Sequence, residues 1–237
     1  VIERGAAGDG ERFDLLLPGA HADAILERLE RFLVMEDVEL DRLPLRVVSV
    51  QGPGSAAAVA AHPEALAVDR LGHGGHDVLV PEEDAEKVAA SLGVPQVGEA
   101  GWELARLRSG QPRMGVDFGG NTLPQEAGLG KRALSFDQGC YVGQEVVARL
   151  DTYDKVQNHL VGLSWRSKDD ETDLAGLFLE EKKVGEVTSA VTRPGTDLVI
   201  GLGYVKKAHA KPGVKLSLGR DHGAIEAVVE ELPFRLA

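Results

Sequence analysis

A chain of 237 residues, 43% hydrophobic and 27% charged, has an ordinary globular composition and is long enough for one large domain or two smaller ones. No run approaches the ~18 apolar residues that a membrane-crossing helix needs, and no charged-then-apolar leader is present, so neither a membrane nor a secretory role is expected. Its 38 acidic residues against 26 basic ones, a formal charge of −12, repel phosphate backbones on average and argue against direct nucleic-acid binding.

A single cysteine excludes an intrachain disulfide and a cluster held by four thiolates of one chain. It fits a reducing compartment, and a cytoplasmic location is expected.

Phe13 to Leu17 read as a strand stopped by Pro18-Gly19. His21 to Leu33 then carry Ala22, Ile25, Leu26, Leu29, Phe32 and Leu33 at the three-to-four spacing of an amphipathic helix. Leu45 to Val50 are strand-like, Ser55 to His62 form a short alanine-rich helix, and Asp77 to Val80 form another strand. Pro81 opens a third helix with Ala85, Val88, Ala89 and Leu92 on one face, closed by Gly93 and Pro95. Strand–helix–strand repeated in this order is that of a ferredoxin-like split βαβ unit.

Beyond about residue 156 the period changes to two. Val161, Leu163 and Trp165 alternate, as do Val214, Leu216 and Leu218. Leu177 to Leu179, Val184 to Val191, Leu198 to Val205 and Ile225 to Leu232 complete a set of short strands, which predicts a small antiparallel barrel or sandwich. The polar stretch Asp151 to Asn158 marks the boundary, giving an α+β chain with domains over residues 1–156 and 157–237.

The densest chemistry lies in Phe136-Asp137-Gln138-Gly139-Cys140-Tyr141-Val142-Gly143-Gln144-Glu145, leading into Arg149. Two glycines bracket Cys140, and Gln144 to Leu150 have helical character. A cysteine just ahead of a helix N-terminus is placed where the dipole favours a thiolate. Such a thiol can serve as nucleophile, redox sensor or metal ligand; equally, a lone cysteine can be a small buried core residue.

Gly139-Cys140-Tyr141-x-Gly143-Gln144-Glu145 resembles the signature of the YgfZ-type proteins, homologues of the aminomethyltransferase T-protein of glycine cleavage. Arg106 to Gly110, Gly115-Val116-Asp117 and Leu123-Pro124-Gln125-Glu126 are similar to the stretch that precedes the signature in that family. Gly185-Glu186-Val187-Thr188-Ser189 and Gly203-Tyr204-Val205 are similar to its C-terminal barrel. The resemblance implies a T-protein-like fold, a pocket for tetrahydrofolate or a derivative, and a role in assembling or repairing iron–sulfur enzymes. Its partners would be those client enzymes or assembly factors, and Cys140 would be the key residue. It places Arg106, Arg108, Asp117, Tyr141, Gln144, Glu145 and Arg149 around the cofactor, with no bound metal. It also implies an N-terminal segment ahead of the region around Phe13, expected to be missing from this chain.

Two positions depart from the family pattern. Gln138 stands where many members carry a lysine beside the Gly-Cys pair. Arg108, in Arg106-Leu107-Arg108-Ser109-Gly110, stands where the T-protein has a glutamate that grips the pterin ring. A glutamate accepts hydrogen bonds from the pterin amino group and ring N–H, whereas an arginine only donates. Arg108 is expected to point into the pocket, where a cation suits a carboxylate or other anion; either the pterin is held differently, or Arg108 contacts the glutamate tail, or folate binds weakly. Three readings follow: a folate-binding accessory protein, a tetrahydrofolate-dependent aminomethyltransferase, and an interaction module without ligand.

His73, His76 and Asp77 have spacing that a metal could use, but a glycine-rich hairpin of this kind reads as a solvated turn. Trp102 reads as the core anchor of a helix over Glu99 to Arg108. No Walker A loop or G-x-G-x-x-G fingerprint occurs.

Overall fold

The structure is a computed structural model that describes residues 2–7, 10–135, 143–145, 147–148, 156–167, 176–219 and 225–235. The chain divides into two compact units, Val1–Gln96 and Val97–Ala237.

In the first unit, β1 (Ile2–Ala7) and β2 (Gly10–Leu15) pair as an antiparallel hairpin, from Ile2 opposite Leu15 to Ala7 opposite Gly10. Pro18 then admits α1 (Gly19–Glu30), whose Ile25, Leu26 and Leu29 are half-buried. This helix ends three residues before the apolar periodicity does, and Phe32 is left 55% exposed. A three-stranded sheet follows, in the order β3 (Leu45–Gln51), β5 (Gly75–Pro81), β4 (Leu66–Ala67).

Only the first turn of the alanine-rich segment is α-helical, as α2 (Ser55–Ala58). Val50, Val59, Val78, Val80 and Leu92 form the core, with Ala85 and Val88 of α3 (Ala85–Ser91) packed on it. The expected alternation of strands and helices is therefore present, distributed over a hairpin and a separate sheet.

The second unit begins with α4 (Glu99–Arg108), continues through a loop and the single turn of α5 (Gly130–Ala133), and ends in a closed barrel. The barrel strands are β6 (Asn158–Arg166), β7 (Gly176–Leu179), β8 (Lys182–Thr192), β9 (Leu198–Lys206), β10 (Lys215–Leu218) and β11 (Ile225–Glu230). They close in the order β10-β11-β6-β9-β8-β7, all pairs antiparallel. Val161, Leu163, Trp165, Val187, Val199, Val205 and Val229 fill the interior, which accounts for the two-residue period of these segments.

β9 is buried over most of its length because both of its faces are covered. Its other face offers Ile200 and Leu202 to Leu104 and Leu107 of α4 and to Phe234. Full burial of Leu107 alone contributes about 1.5–3 kcal/mol. Gly203 permits the close strand contact, since a Cβ there would lie 2.5 Å from the Glu186 carbonyl oxygen. The barrel starts at Asn158, close to the boundary read from composition, whereas the compact units divide at residues 96 and 97. α4 and the loop that follows it to residue 135 are thus in the same compact unit as the barrel.

Candidate ligand cleft of the barrel unit

The loop after α4 is shaped by one carbonyl. The Arg113 oxygen accepts hydrogen bonds from the backbone N–H groups of Val116 at 3.2 Å and Asp117 at 2.8 Å. Gly115 supplies the φ of 81° that the turn requires. The turn delivers the Asp117 carboxylate, with no exposed surface, against the flank of the barrel.

Four donors converge on Asp117. Arg106 Nη1 at 2.6 Å and the Arg113 N–H at 2.8 Å reach Oδ2, while the hydroxyls of Thr188, at 2.6 Å, and Ser189 reach Oδ1. Consecutive strand residues normally point to opposite faces. Here the β8–β9 register shifts between Val187 and Ser189, and this bulge lets both hydroxyls turn toward one oxygen.

Arg106, only 4% exposed, also donates to Glu103 at 2.7 Å and to the Gln111 carbonyl at 2.8 Å, and Arg113 donates to Glu103 at 2.7 Å. Two carboxylates and two guanidinium groups balance one another, so the cost of burying charge is offset within the network. The network pins α4 and the 113–118 turn to β8.

Beside this network lies a cleft of about 680 Å³, bordered by Val116, Phe118, Glu126, Asn158, Tyr204 and Lys206 among others. It opens on the outer face of β9, where the cover that α4 gives to Ile200 and Leu202 ends and Tyr204 and Lys206 follow at two-residue spacing. The Glu126 carbonyl accepts from the Leu160 N–H at 2.8 Å, fixing the 123–129 turn to β6, and its Oε1 accepts from Asn158 Nδ2 at 3.2 Å. Tyr204 is half-buried, but its hydroxyl is buried and has no hydrogen-bond partner among the described residues. Burial, followed by the negative charges of Asp117 and Glu126, pushes the Tyr204 phenol up to about 12. At neutral pH it is protonated.

The structure brings together Arg106 and Asp117, and it satisfies them with each other and with protein groups. Asp117 borders the cleft; Arg106 does not. Arg108 is exposed and lies away from the cleft, and its carbonyl accepts from the Phe234 N–H at 2.9 Å. The helix phase explains this: Arg106 and Leu107 take the two buried positions at the end of α4 and leave Arg108 to solvent. Gln144 is half-buried and Glu145 exposed, and neither borders the cleft. Cys140, Gln138, Tyr141 and Arg149 lie outside the described residues.

In the glycine-rich hairpin, Asp69 Oδ1 accepts from the N–H groups of Leu71, Gly72 and His73 at 2.6–3.1 Å. Asp77 pairs with Arg70, and His76 Nδ1 meets the Ser55 hydroxyl at 3.0 Å. No group of three metal-ligating side chains occurs among the described residues, and no helix among them is long and apolar enough to cross a membrane. Sequence reasoning gave no role to Glu126, Asn158, Tyr204 or Lys206, although Glu126 and Tyr204 sit in stretches that carried the family resemblance.

Residues 158–235 match the model of the glycine cleavage T-protein C-terminal barrel domain. A chloroplastic protein of Arabidopsis thaliana named as a transferase is 32% identical over 148 residues, 62% of this chain and 33% of that protein. The mitochondrial aminomethyltransferase of Gallus gallus is 30% identical over 232 residues, 84% of this chain and 58% of that enzyme. The chain thus spans between a third and three fifths of the length of these two relatives. The crystal structure of the glycine cleavage system aminomethyltransferase T from Bartonella henselae superposes with a TM-score of 0.81 at 22% identity, covering 98% of this chain and 71% of that one. The barrel is thus similar to the glycine cleavage T-protein C-terminal barrel domain, and the chain has a T-protein-like fold.

Proposed function

We propose that this protein binds tetrahydrofolate or a derivative and acts as an accessory to the assembly or repair of iron–sulfur enzymes, in the manner of the YgfZ-type proteins. The observation that carries the folate part is the likeness to an aminomethyltransferase along 84% of the chain, together with a T-protein barrel at its C-terminal end. The accessory role rests on the Gly139-Cys140-Tyr141-x-Gly143-Gln144-Glu145 signature, with Cys140 as its working residue and iron–sulfur client enzymes or assembly factors as partners.

Aminomethyl transfer is the second reading, favoured by the names of the relatives. Arg108 weighs against it, since the position where the T-protein grips the pterin here carries an exposed cation.

Calorimetric titration of the full chain with tetrahydrofolate tests the folate part: saturable binding supports it and the absence of heat overturns it. Replacing Cys140 with alanine should abolish support of iron–sulfur enzyme activity in cells while leaving folate affinity unchanged. A Cys140→Ala protein that still supports those enzymes removes the accessory reading.

A further inference from the structure

Arg108 leaves a chemical question that the barrel unit answers elsewhere. A pterin presents three groups along one edge: an amino group and a ring N–H, which donate, and a carbonyl, which accepts. A site that reads this edge needs a carboxylate beside a cation or other donor, set against a flat apolar wall. In the last turn of α4 the cations are Arg106, which the protein satisfies, and Arg108, which donates only.

The cleft supplies the required set. Among the described residues Glu126 Oε1 has one partner, the Asn158 amide at 3.2 Å, which leaves the carboxylate acceptor capacity for two further donors. Asn158 faces Lys206 directly across the β6–β9 register. Directly opposed residues share a face with Cβ atoms about 4.5–5.5 Å apart, so the Glu126 carboxylate and the Lys206 ammonium stem from adjoining positions. Lys206 is exposed, and two residues before it on the same face stands Tyr204. Because the Tyr204 hydroxyl is buried while the residue is not, the ring is what meets the cleft, with Phe118 and Val116 as further apolar lining.

We propose that this cleft, and not the end of α4, reads the amino-oxo edge of a pterin, with Glu126 accepting from the amino group and ring N–H and Lys206 donating to the carbonyl. The proposal rests on the folate-binding reading and assigns its heterocycle a place. Guanine carries the same donor–donor–acceptor edge, so the test must separate the two sources.

The experiment is equilibrium binding of the full chain to 5-formyltetrahydrofolate, to guanosine monophosphate and to p-aminobenzoylglutamate, for the unmodified protein and for Glu126→Gln and Lys206→Ala. The expected result is saturable binding of the folate, weakened about 10-fold or more by Glu126→Gln and about 5-fold by Lys206→Ala, the scale of a charge-assisted and an exposed hydrogen bond. p-Aminobenzoylglutamate, which lacks the heterocycle, should show no difference between the three proteins.

Folate binding that both variants leave unchanged overturns the assignment of the cleft and spares the folate reading. Guanosine monophosphate bound in preference to the folate, and lost in Glu126→Gln, supports the edge recognition and overturns the folate reading. Binding of neither compound overturns both. Lys206→Ala changes an exposed side chain, so it keeps the test decisive if Glu126→Gln fails to fold, which thermal unfolding would report.

Discussion

Replacing Asp117 with asparagine should be among the most damaging single-atom changes in the barrel unit. The amide oxygen can still accept from Thr188 and Ser189, but its NH₂ then faces Arg106 Nη1 and the Arg113 N–H, both donors. Breaking a buried ion pair from one side costs about 3–5 kcal/mol, and the lower end applies because Arg106 keeps Glu103 and the Gln111 carbonyl. With a urea dependence of about 1.5 kcal/mol per molar, a loss of ~3 kcal/mol moves the unfolding midpoint down by about 2 M.

Both tryptophans, Trp102 on α4 and Trp165 in the barrel interior, lie in this unit, so intrinsic fluorescence reports its unfolding. A double variant Arg106→Met with Asp117→Asn should recover part of the loss, since no charge is then left uncompensated. A destabilisation below ~1 kcal/mol, or a double variant that is merely additive, would refute the view that this network fastens α4 and the 113–118 turn to β8.

Three further outcomes are expected. Gly203→Ala should destabilise the barrel by at least ~2 kcal/mol or prevent folding, because the added Cβ would sit 2.5 Å from a backbone oxygen that the β8–β9 ladder holds; thermal unfolding reads this directly. In a spectrophotometric titration one of the three tyrosines should ionise late, near pH 12, and Tyr204→Phe should remove that transition. The folded pKa of Tyr204 lies above the ordinary value, so its contribution to stability is complete below about pH 10 and is lost as pH rises toward 12. Asp69 carries the opposite sign. Slight burial works to raise its pKa, but the N–H groups of Gly74, Gly72, His73 and Leu71 outweigh it and hold the carboxyl below the ordinary range. Stability from the 69–73 turn is therefore present above about pH 4 and lost as pH falls below that, and Asp69→Ala should flatten this acid limb in calorimetric scans.

The elements that were legible in the sequence are those whose period reflects a single buried face. Ala22, Ile25 and Leu29 announce α1, and the alternation Val161, Leu163, Trp165 announces β6. β1 and β4 were not legible: Ile2–Ala7 carries no two-residue alternation of apolar and polar side chains, and Leu66–Ala67 is only two residues long.

The site was less legible than the fold, for a geometric reason. Asp117 was singled out, but its side-chain partners stand 11 residues before it and 71 and 72 after it. Nothing local to Val116-Asp117-Phe118 says that the carboxylate is already satisfied. The expectation for Arg108 rested on matching a motif letter by letter, whereas burial along α4 is decided by which residues meet Ile200 and Leu202. Lys206 and Asn158 carry no signal at all until strands 40 residues apart are set in register.

The double covering of β9 bears on where this chain can be cut. A fragment starting at residue 157 contains every strand of the barrel, yet it loses α4 and exposes Ile200, Leu202, Leu160 and Phe234 as one apolar strip. It also strips Thr188 and Ser189 of the carboxylate that accepts from their hydroxyls. Such a fragment should self-associate through that strip. One starting at residue 97 retains α4 and Asp117, keeps the strip covered, and is the piece to express for spectroscopy or crystallisation.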